Sequence, residues 1–407
     1  MFGRLTALAW RSIWKNRRRT LITGLAVGVG LAALMFSEAL MTGMTDHMVR
    51  QTTRAWIGDG QIHREGFRET GRTVLTVAAP DSMTAMLQSD SLIEAFTCRL
   101  ISPASMESTS EMRPVTMIGV DPATDPGLTM LEAAVDSGSY FSGDSTDLVI
   151  GWKLARDLDA VVGDLIVITV ARADSGLTSR LFFVTGICFF GSDDLDRYTA
   201  FVDIRAAGEM LGLQGECHEI AFRLPDDGMG LDRSLPLWSR YSVLGNRALG
   251  WGEIAGQVES MLGMVDMSMA ISAVILFGLV VFGIINSLFM SVYERMYEFG
   301  VMKAIGTRPG TVAVVVILEA FWLGVVSMAI GSLLGLAVIW ITSGTGIDFG
   351  SIEFSGVIFD SAIHPSASWG RMWPYPAATV LLTTLAGVYP GIHAGRLNAA
   401  SAMRKSL

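Results

Sequence analysis

Residues Met267–Val292 read MSMAISAVILFGLVVFGIINSLFMSV, a run without an ionisable side chain. The hydrocarbon core of a bilayer is about 30 Å thick and needs about 20 helical residues to cross it. At about 1.5 Å per residue, this run is long enough to span the core with some tilt. We therefore predict a transmembrane helix here.

Three further runs have the same character. Leu21–Met44 is interrupted only by Glu38, Thr311–Ser343 only by Glu319, and Tyr375–Ala394 contains no acidic residue, lysine or arginine. A soluble protein can bury one such helix in its core, but four runs with basic flanks are typical of a membrane protein. The sequence predicts a membrane α-helical protein with four transmembrane helices.

The composition agrees with this class and excludes others. Hydrophobic residues make up 51% of the 407 positions and charged residues only 17%, which is too apolar for a disordered chain. The formal net charge of −9 provides no electrostatic attraction to nucleic acid, so we expect no nucleic-acid partner. Three cysteines are too few for a disulfide scaffold.

Basic residues are concentrated in three short segments, which predicts the orientation in the membrane. Segments 293–310 and 395–407 each hold three, whereas the long stretch 45–266 holds 17 basic and 32 acidic residues. Lysine and arginine next to a span stay on the cytoplasmic side, so both termini are predicted to be cytoplasmic and 45–266 extracytoplasmic. The first segment carries six basic residues and no acid: Arg4, Arg11, Lys15, Arg17, Arg18 and Arg19.

These observations predict nine consecutive parts. The first apolar run exceeds the length of a signal-peptide core, so we interpret it as an uncleaved anchor. The parts are a cytoplasmic amphipathic segment 1–20, span 21–44, a large mixed α/β extracytoplasmic domain 45–266 between the first and second helices, span 267–292, cytoplasmic segment 293–310, span 311–343, extracytoplasmic loop 344–374, span 375–394 and cytoplasmic tail 395–407.

The large domain shows both strand and helix patterns. Runs rich in β-branched and aromatic residues, bounded by Gly, Asp or Ser, predict strands at 148–150, 165–170, 181–190, 199–202 and 219–224. Helical patterns fall at 83–87, 152–158, 206–211 and 253–262. Nothing clearly breaks the chain between Gly263 and Met267, so the last helix is predicted to continue into the second span.

No catalytic or cofactor motif emerges. The sequence contains neither G-x-x-x-x-G-K-[ST] nor H-E-x-x-H, so we expect a non-enzymatic chain that binds no cofactor, with no catalytic or metal site. The glycines at 24, 28 and 30 and at 331 and 335 lie within spans, where small residues let helices approach closely.

The three cysteines fall in the predicted extracytoplasmic domain. One disulfide can form among Cys98, Cys188 and Cys217, which leaves an odd thiol. Cys188 lies in an apolar run and favours a buried thiol. Cys217 and His218 are adjacent, but no second pair stands at zinc spacing, so a metal is a weak alternative.

Two carboxylates, Glu38 and Glu319, interrupt the apolar runs. Charged groups in spans are costly and point to function, and a proton relay is one alternative. Both lie near the ends of their spans and can reach an aqueous interface. We favour a structural or lateral-gate role for Glu38 and a helix-anchoring role for Glu319.

The segment 293–310 reads YERMYEFGVMKAIGTRPG. Its apolar residues approximate a helical stripe, with charged residues on the other side, which predicts a short amphipathic helix parallel to the membrane. A solvated loop resting on headgroups is the alternative. We favour a docking surface for a cytoplasmic partner. The predicted stripe comprises Met296, Phe299, Val301, Met302 and Ile305.

Three short motifs stand out: EFGVMKAIG at 298–306, GVDP at 119–122 and LVIG at 148–151. The first is similar to the coupling motif E-x-G-x-x-[KR]-A-[IL]-G, and the other two look like the periplasmic core, of the four-span ABC permeases that include LolC/LolE, MacB and FtsX. Residues 389–404 look like the C-terminal ending of that family. GDGQIH at 58–63 looks closest to the lipoprotein-releasing LolC/LolE branch.

The resemblance implies a transport subunit of the bacterial inner membrane. A cytoplasmic ABC ATPase dimer on separate chains would hold ATP and Mg, and a second permease subunit, identical or different, would complete the complex. Membrane lipids and a periplasmic carrier are the other expected partners. The coupling residues implied by the resemblance are Glu294, Glu298, Phe299, Gly300, Lys303, Ala304 and Gly306.

In lipoprotein-releasing relatives the cargo enters a cavity between two permease subunits. Such a cavity must accept acyl chains, and ordinary lipid-facing or helix-packing surface is the equal alternative for each wall residue. The alternative function is a MacB- or FtsX-like transmitter that drives an efflux partner or a periplasmic enzyme without carrying cargo. The candidate cavity residues are Leu31, Leu34, Met35, Glu38, Ile271, Ile275, Phe282 and Met290.

Overall fold

A computed structural model describes residues 2–15, 17–348, 350, 352–354, 357–359 and 362–397. The chain divides into two compact units. The helical unit comprises 1–45, 262–348 and 363–407, and the sheet unit comprises 46–261 and 349–362. Residues 398–407, which hold most of the predicted tail and its motif, and six positions of the predicted loop 344–374 lie outside the described residues.

The helices of the described residues range in length from one turn to 39 residues. They are α1 (Phe2–Lys15), α2 (Arg17–Thr52), α3 (Phe67–Thr70), α4 (Pro80–Ser89), α5 (Trp152–Asp157), α6 (Asp193–Tyr198), α7 (Ile204–Leu211), α8 (Pro236–Tyr241), α9 (Trp251–Ile254), α10 (Gly256–Glu294), α11 (Met296–Ala304), α12 (Pro309–Thr345), α13 (Trp369–Met372), α14 (Pro374–Ala386) and α15 (Val388–Arg396).

The strands are β1 (Gly60–Arg64), β2 (Ala95–Glu107), β3 (Met112–Val120), β4 (Val135–Gly138), β5 (Asp147–Gly151), β6 (Leu165–Ala171), β7 (Leu177–Cys188), β8 (Thr199–Asp203), β9 (Glu219–Arg223), β10 (Asn246–Gly250), β11 (Ile352–Phe354) and β12 (Val357–Phe359).

Among the described residues, four helical stretches are long and apolar enough to cross a membrane. They run over Arg17–Ile57, Gly256–Glu294, Pro309–Thr345 and Trp369–Arg396, with mean hydropathies of 1.9, 2.6, 2.3 and 1.2. Each contains one of the four predicted apolar runs and extends beyond it, because polar residues at the ends of a run continue the same helix. Four candidate membrane helices are therefore present, as the sequence predicts.

Close helix contacts in the helical unit depend on small residues. A Cβ added at Gly331 of α12 would lie 2.6 Å from the carbonyl oxygen of Gly28 on α2, and one at Gly324 would overlap the Thr383 hydroxyl on α14. Neither position leaves room for a side chain. The predicted role of the span glycines in close helix packing is confirmed at Gly28 and Gly331.

The sheet unit contains a mixed ten-stranded sheet. The strand order is β10-β1-β9-β2-β3-β8-β5-β7-β4, and β6 pairs with β2 and β7. The pairs β3/β8 and β5/β7 are parallel, and the other pairs are antiparallel. Short helices such as α5 and α7 cover the sheet and bury Leu154 and Met210 in its largest apolar cluster.

The predicted strands correspond to β5 to β9, and three predicted helices correspond to α4, α5 and α7. The fourth predicted helix, 253–262, is interrupted at Ala255, whose φ of −103° and ψ of 52° end α9. From Gly256 the helix α10 then continues without a break to Glu294, which confirms the predicted continuity through 263–267.

Candidate functional site

The segment between α10 and α12 folds as the short helix α11. Arg295 leaves the helical conformation with φ −104° and ψ 15°, which separates α11 from α10. On the inner face of α11 the Phe299 ring is 1% exposed and packs with Val292, Val312 and Ala394 of neighbouring elements. Gly300 is also buried beside it. The packing of one face therefore attaches α11 to the rest of the helical unit.

Lys303 is directed into the same unit. Its Nζ donates to the carbonyl oxygens of Gly395 and Leu397, both at 2.6 Å. These carbonyls stand at the C-terminal end of α15, where the helix dipole places partial negative charge and favours a cation. The lysine therefore connects the end of α11 to the end of α15.

Gly306 terminates α11 with a left-handed residue. Its φ is +98°, its N–H donates to the Lys303 carbonyl at 3.0 Å, and the Thr307 N–H donates to the Met302 carbonyl at 3.0 Å. This is the bonding pattern of a Schellman motif, which needs a left-handed residue at this position. A side chain at position 306 would strain the turn into α12.

Acidic residues of the segment pair with the basic residues before and within α2. Glu298 accepts from Lys15 Nζ at 2.6 Å and from Arg295 Nε at 3.0 Å. Glu294 accepts from Arg19 at 2.6 Å. The hydrogen bond from Lys15, helped by Arg295, lowers the pKa of Glu298 below its ordinary value. Because Lys15 is largely exposed and Glu298 is partly exposed, the pair is worth at most about 1 kcal/mol.

The opposite face of α11 has no covering within the described residues. Tyr297 and Val301 are exposed, Ile305 is 79% exposed, and Ala304 lies beside them. The predicted single apolar stripe is therefore wrong: Phe299 and Met302 face the unit, whereas Val301 and Ile305 face away. We call Tyr297, Val301, Ala304 and Ile305 the exposed α11 stripe.

Glu319 of α12 is buried near this segment. It accepts hydrogen bonds from the Ser12 hydroxyl of α1 and from the Arg295 guanidinium, and Arg295 also bonds Ser12. The guanidinium carbon of Arg295 lies 5.1 Å from the centroid of the Phe299 ring. We call Glu319, Arg295 and Ser12 the Glu319 cluster. Through Arg295 it joins α1, α12 and the start of α11.

Glu38 of α2 is buried in a second cluster. Its two oxygens accept from Arg371 Nε at 2.7 Å and from the Tyr375 hydroxyl at 2.8 Å. A second nitrogen of Arg371 lies 2.5 Å from Asp266 of α10. We call these four residues the Glu38 cluster. The sequence analysis missed Arg371, although it is the one basic residue of the segment 344–374.

The candidate cavity residues fall into a buried group and an exposed group. Leu31, Leu34, Met35 and Glu38 are buried in the packing of their own chain, which is the helix-packing alternative that the sequence left open. The four residues on α10 are exposed: Ile271, Ile275, Phe282 and Met290. Only 11% of the most apolar window of α10 is buried, against 33–39% in the other three candidate spans.

The sheet unit contains a buried charged group that the sequence analysis also missed. Arg99 of β2 is fully buried, bonds Glu219 of β9 at 2.6 Å and lies 3.6 Å over the Trp56 ring. His218, adjacent to Cys217, accepts from the Ile101 N–H through Nδ1 and contacts the Thr73 carbonyl through Nε2. Both of its ring nitrogens are therefore engaged by the backbone. Burial lowers the pKa of His218.

Two family descriptions match the chain. Residues 20–228 match the MacB-like periplasmic core domain, and residues 270–399 match the FtsX-like permease C-terminal family. The first match covers β1 to β9 of the sheet, and the second covers most of α10 and all of α11 to α15.

Several curated proteins are similar at low identity. The lipoprotein-releasing system transmembrane protein LolE of Haemophilus influenzae is 21% identical over 97% of this chain and 98% of its own length. The pyoverdine export ATP-binding/permease protein PvdT of Pseudomonas aeruginosa is 21% identical over 81% of this chain and 50% of its own length. The macrolide export ATP-binding/permease protein MacB of Sodalis glossinidius is 22% identical, over 97% of this chain and 60% of its own length.

Among solved structures, the periplasmic region of MacB from Actinobacillus actinomycetemcomitans is similar, with 14% identity and a TM-score of 0.35 over 49% of this chain and 92% of that one. The family matches span most of the sequence and agree with the motif at 298–306. The chain therefore belongs to the ABC transporter permease superfamily of MacB, FtsX and LolC/LolE, and carries a MacB-like periplasmic core domain.

Proposed function

We propose that this chain is a permease subunit whose α11 receives the stroke of a separate cytoplasmic ATPase and whose complex extracts lipoproteins or similar amphiphiles from the inner membrane toward a periplasmic carrier. The observation that carries the proposal is the division of α11 into two faces. One face is attached to the chain by Phe299 and Lys303, and the exposed α11 stripe is left for a partner.

This arrangement suits the transmission of force. An ATPase that presses on the exposed α11 stripe moves Phe299 and Lys303 together with the ends of α12 and α15. The same push reaches α1 through Arg295 and Ser12. From Glu294, the unbroken helix α10 extends to Gly256, so a displacement at one end reaches the other through one hydrogen-bonded rod.

The proposed topology places both termini and α11 in the cytoplasm and the sheet unit in the periplasm, between the first and second spans. The basic residues next to the spans support this orientation, because lysine and arginine stay on the cytoplasmic side, and exposed aromatic rings mark the two membrane interfaces of the fourth candidate span. Trp369 and Trp373 stand at one end of the fourth candidate span and Tyr389 near its other end. At about 1.5 Å per residue, the stretch from Trp369 to Tyr389 covers about 30 Å, the thickness of the hydrocarbon core.

The exposed side of α10 is the part of the candidate cavity that we retain for cargo or for a second permease subunit. A shallow apolar groove of about 270 Å³ runs along it, lined by Met267, Ala270, Ile271, Val274 and Ile275. Such a surface accepts acyl chains without burying a polar group. The relative LolE is named for lipoprotein release, which supports amphiphilic cargo.

A charge on the exposed α11 stripe tests the coupling. We expect Ile305→Glu to lose ATP-driven release of a lipoprotein from proteoliposomes, because a carboxylate would enter an apolar contact with the ATPase. Ile305→Leu keeps the apolar surface and is the matched control. The side chain is exposed, so both variants should keep the melting temperature of the wild type. Unchanged release by Ile305→Glu would overturn the proposal.

The alternative function is a transmitter that drives an efflux partner or a periplasmic enzyme and carries no cargo. The length of α10 and the similarity to MacB and PvdT favour it. A photocrosslinker at position 282, where Phe282 is 74% exposed, separates the two. Capture of an acylated protein there, and none at the buried position 284, supports transport. Capture confined to positions in the sheet unit supports the transmitter.

A further inference from the structure

Two of the three cysteines are neighbours in the sheet unit. Cys98 lies on β2, and Cys217 lies two residues before β9, the strand that pairs with β2. Both side chains border the same groove, and the two thiols influence each other's pKa. Cys217 is buried and Cys98 packs against the same apolar cluster. Sequence separation alone gave no reason to pair these two cysteines.

The pair is accessible from one side. A groove of about 530 Å³ is lined by both cysteines and by residues of α4 and α7, among them Asp81, Arg205 and Glu209. Cys98 is partly exposed to it. Cys188, by contrast, is fully buried and its thiol donates to the Ile150 carbonyl at 3.3 Å.

We propose that Cys98 and Cys217 form a disulfide in the sheet unit by exchange with an organic disulfide that enters this groove. Formation of this disulfide depends on the two thiols and on the groove beside them, and not on the cargo or on coupling to an ATPase.

The reaction proceeds in two exchanges. The Cys98 thiolate attacks one sulfur of RS–SR, which forms the mixed disulfide Cys98–S–SR and releases RS⁻, and the proton that Cys98 lost converts RS⁻ to RSH. The Cys217 sulfur then attacks Cys98 Sγ, forms the Cys98–Cys217 bond and releases a second RS⁻, which takes the Cys217 proton. Two protein thiols are oxidised and one external disulfide is reduced to two thiols.

The pKa values of the two thiols are shifted in opposite directions, which favours attack by Cys98 before Cys217. The neighbouring Cys217 thiol lowers the pKa of Cys98, so its thiolate is the more available nucleophile. The neighbouring Cys98 thiol and burial raise the pKa of Cys217, which therefore reacts second, within the mixed disulfide. Burial raises the pKa of Cys188 and leaves it unreactive.

The test treats the purified full-length chain, native in detergent, with oxidised glutathione, then quenches with acid, denatures and alkylates before peptide mass spectrometry. We expect a peptide pair joined through Cys98 and Cys217, with Cys188 alkylated. Cys188→Ser should give the same linked pair. Cys217→Ser should hold a stable glutathione adduct at Cys98, and Cys98→Ser should leave Cys217 alkylated and without an adduct.

Three alkylated cysteines in the wild type, or a glutathione adduct on Cys98 that persists there, would overturn the proposal. Thermal unfolding of the wild type provides a second test that needs no variant. The disulfide closes the long chain segment between residues 98 and 217 and restricts the unfolded state. The oxidised wild type should therefore melt at a higher temperature than the reduced wild type, and equal melting temperatures would count against the disulfide.

Discussion

The Glu319 and Glu38 clusters both stabilise a buried carboxylate, but their arginines differ in exposure to water. Each buried carboxylate is paired with one arginine and one hydroxyl within the helical unit. Arg295 is largely buried and also reaches Glu298 of α11, whereas Arg371 is 44% exposed and reaches Asp266 of α10. The first cluster therefore includes the segment that we propose for coupling, and the second connects the four helices α2, α10, α13 and α14.

Because the two arginines differ in exposure, we expect their removal to lower the free energy of unfolding by different amounts. Removal of one partner from a buried ion pair leaves an uncompensated charge away from water and costs about 3–5 kcal/mol. When the removed arginine was close to water, water molecules can partly replace it as the hydrogen-bond donor to the carboxylate. We therefore expect the Glu319 cluster to dominate both stability and coupling, and the Glu38 cluster to contribute mainly to stability.

The largest effect is expected for Arg295→Met. It leaves Glu319 buried with only Ser12 as a donor and should lower the free energy of unfolding in detergent by about 3–5 kcal/mol. Arg308→Met, at an exposed position of the same segment, is the control and should stay within about 0.5 kcal/mol.

A double variant separates the effect of the unpaired charge on stability from the effect of the lost Arg295 contact on coupling. Arg295→Met combined with Glu319→Leu removes both charges and should recover most of the stability, because an apolar pair can replace a buried ion pair. ATP-driven release should stay low in the double variant, since the hydrogen bond from Arg295 to Ser12 of α1 is still missing. Equal losses for Arg295→Met and Arg308→Met would show that the Glu319 cluster carries no special weight.

For Arg371→Met we expect a smaller loss of about 1–3 kcal/mol, because Tyr375 still donates to Glu38. Binding of the ATPase, measured by co-purification, should be unchanged. Asp266→Asn, which removes the exposed negative charge beside the same arginine, is the matched control and should cost less. A loss of ATPase binding on Arg371→Met would contradict the expectation that the Glu38 cluster contributes mainly to stability.

Gly306→Ala should cost about 1 kcal/mol, because alanine at φ +98° is strained and the Schellman turn after α11 depends on that conformation. Gly310→Ala is the control: this glycine lies in α12 with open space around it and has no positive φ. It should be neutral or slightly stabilising. Thermal unfolding of the two variants side by side measures the difference, and equal melting temperatures would contradict the proposed cap.

The smallest effect is expected for Lys15→Ala, which removes a largely exposed partner of Glu298. At pH 7 it should lower stability by less than about 1 kcal/mol. Because the pKa of Glu298 is lowered in the folded protein, its contribution is present above the unfolded pKa of about 4.3 and is lost as the pH falls through the folded pKa. Unfolding measured from pH 7 to pH 3 should show the wild type and variant converging at low pH.

Much of the fold could be predicted from the sequence because the signals are local. Four apolar runs mark the four candidate spans, and the β-branched runs mark β5 to β9. The hairpin of β2 and β3 was missed, since Ala95–Glu107 mixes serine, proline and charged residues whose burial depends on partners in β6 and β9.

The candidate site was predicted only in part, for a related reason. Membrane helices are apolar all round, so nothing in α2 distinguishes the buried Leu31 from a residue facing lipid. Arg371 is 333 residues from Glu38 in sequence, and no local pattern pairs them. The motif at 298–306 identified α11, but the assignment of Phe299 to the inner face and Ile305 to the outer face required the structure.

The most direct test of the central claim is site-specific crosslinking in native membranes, with a photocrosslinker placed at position 305 or at position 299 of this chain. The account predicts an adduct with the cytoplasmic ATPase from position 305, on the exposed α11 stripe, and none from position 299, which is buried against α12. An adduct from position 299 but not from 305, or labelling of position 305 by a reagent confined to the periplasm, would contradict it.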